Sequence, residues 1–249
     1  MKRLVFEMLS AMFPYNANIG IPRRGFLCRE RHRMLEQAFM YAHDEQVPGD
    51  YVEFGTGRGT SLLYAYEACR KHRFDDVRFF SFDSFQGFPE PKGVDRVFLR
   101  FKQGEVEFPR RIVERNLRLY GADARRIELI EGWYDHTLAD AAGNHGKIGA
   151  ARVVNIDCDL HDSALAALRF VTPHLASGSV LLFDDWLCYR ADPAKGEQAA
   201  ARRWLEEHPH ISLIPFRTYA NVGQSFIVNV NAAAVAGPVR SSDLAARLG

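Results

Sequence analysis

The segment 50–61, DYVEFGTGRGTS, decides the fold. Tyr51, Val52 and Phe54 read as a short buried strand. Gly55, Gly57 and Gly59 then alternate with Thr56, Arg58 and Thr60, and a helical run opens at Ser61. A strand that ends in a glycine-rich turn and feeds a helix lets a ligand approach the backbone at a helix N-terminus. Two cofactor classes use such a turn, dinucleotides and S-adenosylmethionine (SAM). Glu53, two residues before the first glycine, favours SAM: a carboxylate repels a pyrophosphate, whereas SAM presents an ammonium and a sulfonium. Glu53, Gly55, Thr56 and Gly57 are therefore expected to line a cofactor pocket. A glycine-rich turn alone is weak evidence, because many are simply tight turns.

Outward from this segment, strands alternate with helices. A helix is expected from about Arg29 to Gln46, with Met34, Leu35, Ala38, Phe39 and Ala42 on one face. Further strands are expected at Val77–Phe82, Ile127–Ile130, Val153–Ile156 and Val180–Phe183. Helices are expected from Ser61 to His72, near Phe108–Tyr120, from Ser163 to His174 and near Glu197–His208. Two last strands, Ile211–Phe216 and Gln224–Val230, are close enough to pair antiparallel. The fold class is α/β: one Rossmann-like domain with a doubly wound, mostly parallel, seven-stranded sheet and one antiparallel strand. Residues 1–28 are expected to be an irregular N-terminal segment and a candidate lid, 29–231 the domain, and 232–249 a small-residue tail.

Bulk composition excludes several classes. The 249 residues carry 32 Lys plus Arg against 31 Asp plus Glu, a net charge of +1, which gives no electrostatic case for nucleic acid or an anionic membrane. A hydrophobic content of 47% argues against disorder. Cys28, Cys69, Cys158 and Cys188 are scattered and read as reduced thiols of a cytoplasmic protein, not a disulfide framework or zinc site. Glu7 interrupts the only apolar run near the N-terminus, so no signal peptide is expected.

In an open α/β sheet the ligand lies outside the carboxyl ends of the strands. The second strand delivers Asp83 and Ser84; Asp83 reads either as an acceptor for two ribose hydroxyls or as a turn-capping residue. The third delivers Trp133, which reads as a flank for adenine or as core. The fourth ends in Asp157-Cys158-Asp159-Leu160-His161 and the fifth in Asp184-Asp185. Carboxylates gathered after buried strands repel unless a cation or a proton resolves them. If those strands are neighbours, Asp157, Asp184 and Asp185 converge, and an all-oxygen donor set suits Mg²⁺ or Ca²⁺ over zinc. The alternative is that they cap helices and turns. Asp159 and His161 are the candidate general bases, with His161 reading equally as a packing histidine.

The segments PGDYVEFGTGRG (48–59), SFDSFQGFPEP (81–91), IELIEGWYDHTL (127–138), VVNIDCDLHDSALAAL (153–168) and GSVLLFDDW (178–186) resemble the macrocin-type (TylF/MycF-like) O-methyltransferases, in the same order along the chain. His161 stands where that family usually has Tyr. The resemblance implies a class I methyltransferase fold, SAM as methyl donor, and Mg²⁺ on Asp157, Asp184 and Asp185, with Asp159 as a fourth ligand or base. It further implies O-methylation of a sugar or other polyhydroxylated natural product. The expected partner is thus a small hydroxylated acceptor, not nucleic acid or membrane, and a homo-oligomer is compatible with the sequence. Two alternatives stand beside it. An NAD-dependent oxidoreductase lacks support from the glycine spacing and from any Tyr-x-x-x-Lys pair. A non-catalytic SAM-binding protein leaves the acidic trio unexplained.

Overall fold

The computed structural model describes residues 21–96, 103–105, 107–139 and 143–231, with side chains from Arg29 onward. The expected tail at 232–249 and most of the expected N-terminal segment lie outside the described residues. Thirteen elements carry the fold. They are α1 (Ile21–Asp44), β1 (Asp50–Phe54), α2 (Thr60–His72), β2 (Phe79–Asp83), α3 (Arg110–Tyr120), β3 (Ile127–Glu131) and α4 (Tyr134–Thr137). Then follow β4 (Ala151–Ile156), α5 (His161–Val171), β5 (Leu175–Phe183), α6 (Gly196–Glu207), β6 (Ile211–Tyr219) and β7 (Gly223–Val230).

One expectation changes at the start. Helix α1 begins at Ile21, so 21–28 is helical and not irregular. Pro22 falls in the first turn, where a missing backbone N–H costs nothing, and Gly25 is carried by the helix around it. The short helix α4 was not expected. One turn has too little periodicity to be read.

The sheet order is β3-β2-β1-β4-β5-β7-β6. The pairs β1–β2, β1–β4, β2–β3 and β4–β5 are parallel, and β7 runs antiparallel to both β5 and β6. Chain direction along the sheet therefore reverses between β1 and β4, the place where such sheets leave a crevice. Alternation along each strand separates two cores. Tyr51, Phe79, Val153 and Val180 face Met34, Leu35 and Phe39 of α1 and Leu62, Leu63 and Tyr66 of α2. Val52, Phe54, Phe80, Phe82, Val154, Leu181 and Phe183 face Leu165 and Leu168 of α5 and Trp204 of α6. A sheet covered on both faces leaves its strand ends as the place where polar groups can reach solvent.

At those ends β1 and β4 approach very closely. Gly55 has φ +93°, and a Cβ built there would sit 1.8 Å from the backbone oxygen of Asp157. Only a residue without a side chain lets the glycine turn pass beside the acidic segment.

Candidate active site at the strand ends

A cavity of about 1360 Å³ opens over the carboxyl ends of β1 to β5. Gly55, Thr56, Gly57, Asp83, Ser84 and Trp133 line one part of it; Asp157, Asp159, Asp184 and Asp185 line the other. The glycine turn and the acidic cluster thus share one space.

Of the residues expected in the site, all but two line this cavity; the exceptions are Glu53 and His161. Glu53 is fully buried beneath the turn. Its carboxylate accepts hydrogen bonds from the Tyr51 and Ser61 hydroxyls at 2.8 and 2.9 Å and from the Ser81 hydroxyl at 2.6 Å. Ser81 is bonded in turn to the Thr56 hydroxyl. The expectation that Glu53 faces a ligand is therefore corrected: it braces the turn from below. Alternation in β1 places it on the face of Tyr51, under the first turn of α2. Burial pushes its carboxyl up to about 7, against the three hydroxyl donors that pull it down.

His161 is the first residue of α5. Its backbone N–H donates to Asp95 Oδ2 at 2.6 Å, and its ring Nδ1 lies 2.8 Å from Asp162 Oδ1. His161 itself is not among the residues that line the cavity, although its ring partner Asp162 is. Asp159 does line the cavity, at φ +59°, after the strand has ended at Ile156. Burial, and then the nearby Asp185, hold its carboxyl well above the usual carboxylate range.

On the other side, Asp83 Oδ2 accepts the backbone N–H groups of Thr56 (2.7 Å) and Gly57 (3.1 Å), while Oδ1 accepts that of Phe85 (2.7 Å). A carboxylate offers about four lone-pair positions. Three are occupied, so room for one hydroxyl remains, not the two the sequence suggests. Asp83 caps the turn and still lines the cavity. Ser84 accepts from the Gln86 N–H at 3.1 Å. Trp133 is half-buried on the cavity wall, just before Tyr134, whose hydroxyl donates to the Phe82 carbonyl at 3.2 Å.

The acidic side is arranged differently. Asp157, Asp184 and Asp185 each present an oxygen, and these oxygens lie within 4.8 Å of one another. Parallel pairing of β4 with β5 brings them together, since Ile156 is level with Phe183. Burial and then the Asp184 charge raise the Asp157 carboxyl well above its ordinary range. Three neighbours escaped the sequence reading. Arg31 of α1 donates through Nε to Asp184 Oδ1 at 2.7 Å and through Nη2 to Oδ2. Glu197 of α6 is 1% exposed; its Oε2 accepts the Asp185 N–H at 3.0 Å. Its Oε1 is buried with no hydrogen-bond partner among the described residues. The Cys188 thiol donates to Asp185 Oδ1 at 3.0 Å. No local pattern marks these residues, because each meets its partner only through the tertiary fold.

A hard divalent cation fits this donor set. Among the described residues, several carboxylates share one corner with the Arg31 guanidinium, and one Glu197 oxygen is left unsatisfied. Asp95 ties the two sides together: besides the α5 N–H, it accepts the Gly196 N–H at 3.3 Å, so one carboxylate holds the starts of α5 and α6. Cys69, Cys158 and Cys188 are free thiols, as expected. Among the described residues no helix is long and apolar enough to cross a membrane.

An 8-demethyl-8-(2,3-dimethoxy-alpha-L-rhamnosyl)-tetracenomycin-C 4'-O-methyltransferase from Streptomyces olivaceus is 32% identical over 145 residues, 56% of this chain and 54% of that protein. A demethyldecarbamoylnovobiocin O-methyltransferase from Streptomyces niveus is 28% identical over 146 residues, 57% and 54% of the two chains. The chain thus spans about half the length of these curated relatives. The solved structure of the O-methyltransferase NovP superposes with a TM-score of 0.68 at 24% identity, over 80% of this chain and 79% of that one, which shows the shared fold. The macrocin-O-methyltransferase (TylF) profile matches residues 21–205, and the chain belongs to that family.

Proposed function

We propose that this protein is a SAM-dependent O-methyltransferase that acts on a hydroxyl of a sugar or other polyhydroxylated natural product, with a divalent cation, Mg²⁺, assisting. The observation that carries the reading is the shared cavity, with the glycine turn and Asp83 on one side and the Asp157, Asp184 and Asp185 oxygens on the other. Family membership supports methyl transfer, and the rhamnosyl-bearing name of the 32% identical relative supports a sugar hydroxyl as the acceptor. Neither alternative, hydride transfer to NAD nor SAM binding without catalysis, is favoured by these relatives.

When bound, SAM supplies a methyl group activated on a sulfonium, and Mg²⁺ supplies a Lewis acid that orients an acceptor hydroxyl and lowers its pKa. Asp157, Asp184 and Asp185 would hold the cation. Asp83 would accept one ribose hydroxyl while its other lone pairs keep the Thr56 and Gly57 turn in place. Trp133 would flank the adenine. Asp159 would take the acceptor proton; it lines the cavity, and His161 does not. The cavity walls hold donor and acceptor in one geometry, and such positioning contributes several kcal/mol to many transfer reactions.

The test is a methyl-transfer assay with labelled SAM against a panel of glycosylated and polyhydroxylated metabolites. The expected result is an O-methylated product whose formation stops in excess chelator and resumes with Mg²⁺. Transfer to nitrogen or carbon would overturn the O-transfer assignment, and full activity in chelator would overturn the metal-assisted part.

A further inference from the structure

We propose that Arg31 is a built-in stand-in cation for the acidic cluster, which a divalent ion must displace from Asp184. The inference rests on the metal-assisted reading above. The guanidinium engages both oxygens of Asp184, with Nε on Oδ1 and Nη2 on Oδ2. It is a fixed positive charge at this corner, because an arginine in a protein does not lose its proton, and the Asp184 charge holds its pKa higher still. Asp157 and Tyr219 also act on it electrostatically. The Asp184 side chain is 4% exposed and that of Arg31 35% exposed, so the pair is shielded on the carboxylate side and open on the arginine side.

The arginine reaches this corner from another layer of the molecule. Met34 and Leu35, just beyond it on α1, are each 2% exposed in the core against the sheet, which fixes the helix there. Arg31 then extends past the edge of that core to the end of β5, 153 residues away in the chain. A fork of this kind could either brace Asp184 for a metal or compete with one, and charge decides between them. A divalent ion on the same carboxylate would face a guanidinium across a few ångströms of weakly screening interior. That repulsion outweighs the gain from holding one short side chain in place. Arg31 therefore stabilises the cluster while no metal is present, and it raises the divalent concentration needed to load the site. Once displaced, the guanidinium has room in the cavity it already lines.

The experiment measures Mg²⁺ and Mn²⁺ affinity by calorimetry for the wild-type protein, Arg31→Met and Arg31→Lys, with melting curves in chelator and in saturating Mg²⁺. The expected result is divalent binding at least tenfold tighter in Arg31→Met and near wild type in Arg31→Lys, which keeps the charge. The metal-free methionine variant should melt several degrees below wild type, and saturating Mg²⁺ should close that gap. If Arg31→Met does not fold without metal, recovery of its melting transition with added Mg²⁺ reports the same affinity by linkage. Divalent binding that is unchanged or weaker in Arg31→Met, or failure of Mg²⁺ to restore it, overturns the competition while leaving the metal reading intact. Absence of divalent binding in all three proteins overturns both.

Discussion

The two sides of the cavity solve the problem of buried carboxylates in opposite ways. On the glycine-turn side, Glu53 and Asp83 are each held by three of the protein's own donors, hydroxyls for one and backbone N–H groups for the other, with one lone pair of Asp83 left over. On the β4–β5 side, Asp157, Asp159, Asp184, Asp185 and Glu197 share Arg31, a cysteine thiol and one backbone N–H. A saturated carboxylate is scaffolding, because its partners would be lost if it moved. An under-satisfied cluster stores electrostatic cost that a cation or a charged transition state can relieve. On the function proposed above, the first side would do the binding and the second the chemistry.

The sharpest way to break that assignment is Asp157→Asn. It should lower the transfer rate about 10³-fold, about 4 kcal/mol, while cofactor affinity changes little. Parallel turnover and calorimetric measurements decide it, and an equal loss in both would erase the division of labour. Next comes Gly55→Ala, which strikes the seam between the sides. Its Cβ would meet the Asp157 carbonyl oxygen at a φ of +93°, so urea unfolding should show a loss of about 3–4 kcal/mol.

The pH dependence of Glu53 sharpens the comparison from the scaffold side. Its folded carboxyl is raised from 4.5 to about 7. The folded state therefore binds its proton more tightly than the unfolded chain, so its contribution is fully favourable below about 4.5 and is lost as pH rises towards 7. Glu53→Gln removes that dependence. Relative to wild type, the variant should gain about 3 kcal/mol of stability between pH 4.5 and 7, read from denaturant midpoints at each pH. A constant difference across the window would mean that Glu53 is ionised throughout. The smallest effect is expected from Asp83→Asn. With one lone pair left for a ribose hydroxyl, the variant should bind SAM about tenfold more weakly, about 1.4 kcal/mol. Unchanged SAM affinity would confine Asp83 to capping the turn.

Much of this architecture is determined by the sequence alone. Short, mostly apolar runs in Tyr51–Phe54, Val153–Ile156 and Val180–Phe183 specify buried strands, and the order of strands and helices specifies a doubly wound sheet. Turn chemistry is equally local, so the glycines, Asp83 and the three metal-side aspartates could be assigned to strand ends from neighbouring residues alone. Only the tertiary structure decided the rest. Glu53 reads as a ligand-facing acid until Ser61 and Ser81 are seen to close over it from two other elements. His161 reads as a base on the same footing as Asp159 until the fold leaves it out of the cavity lining that Asp159 joins. Arg31 carries no motif at all, and its role exists only because α1 packs where β5 ends. The physical reason is common to all three. Periodicity and turn propensity arise from contacts within a few residues, whereas burial and ion pairing depend on strand order and helix docking, which bring distant segments together.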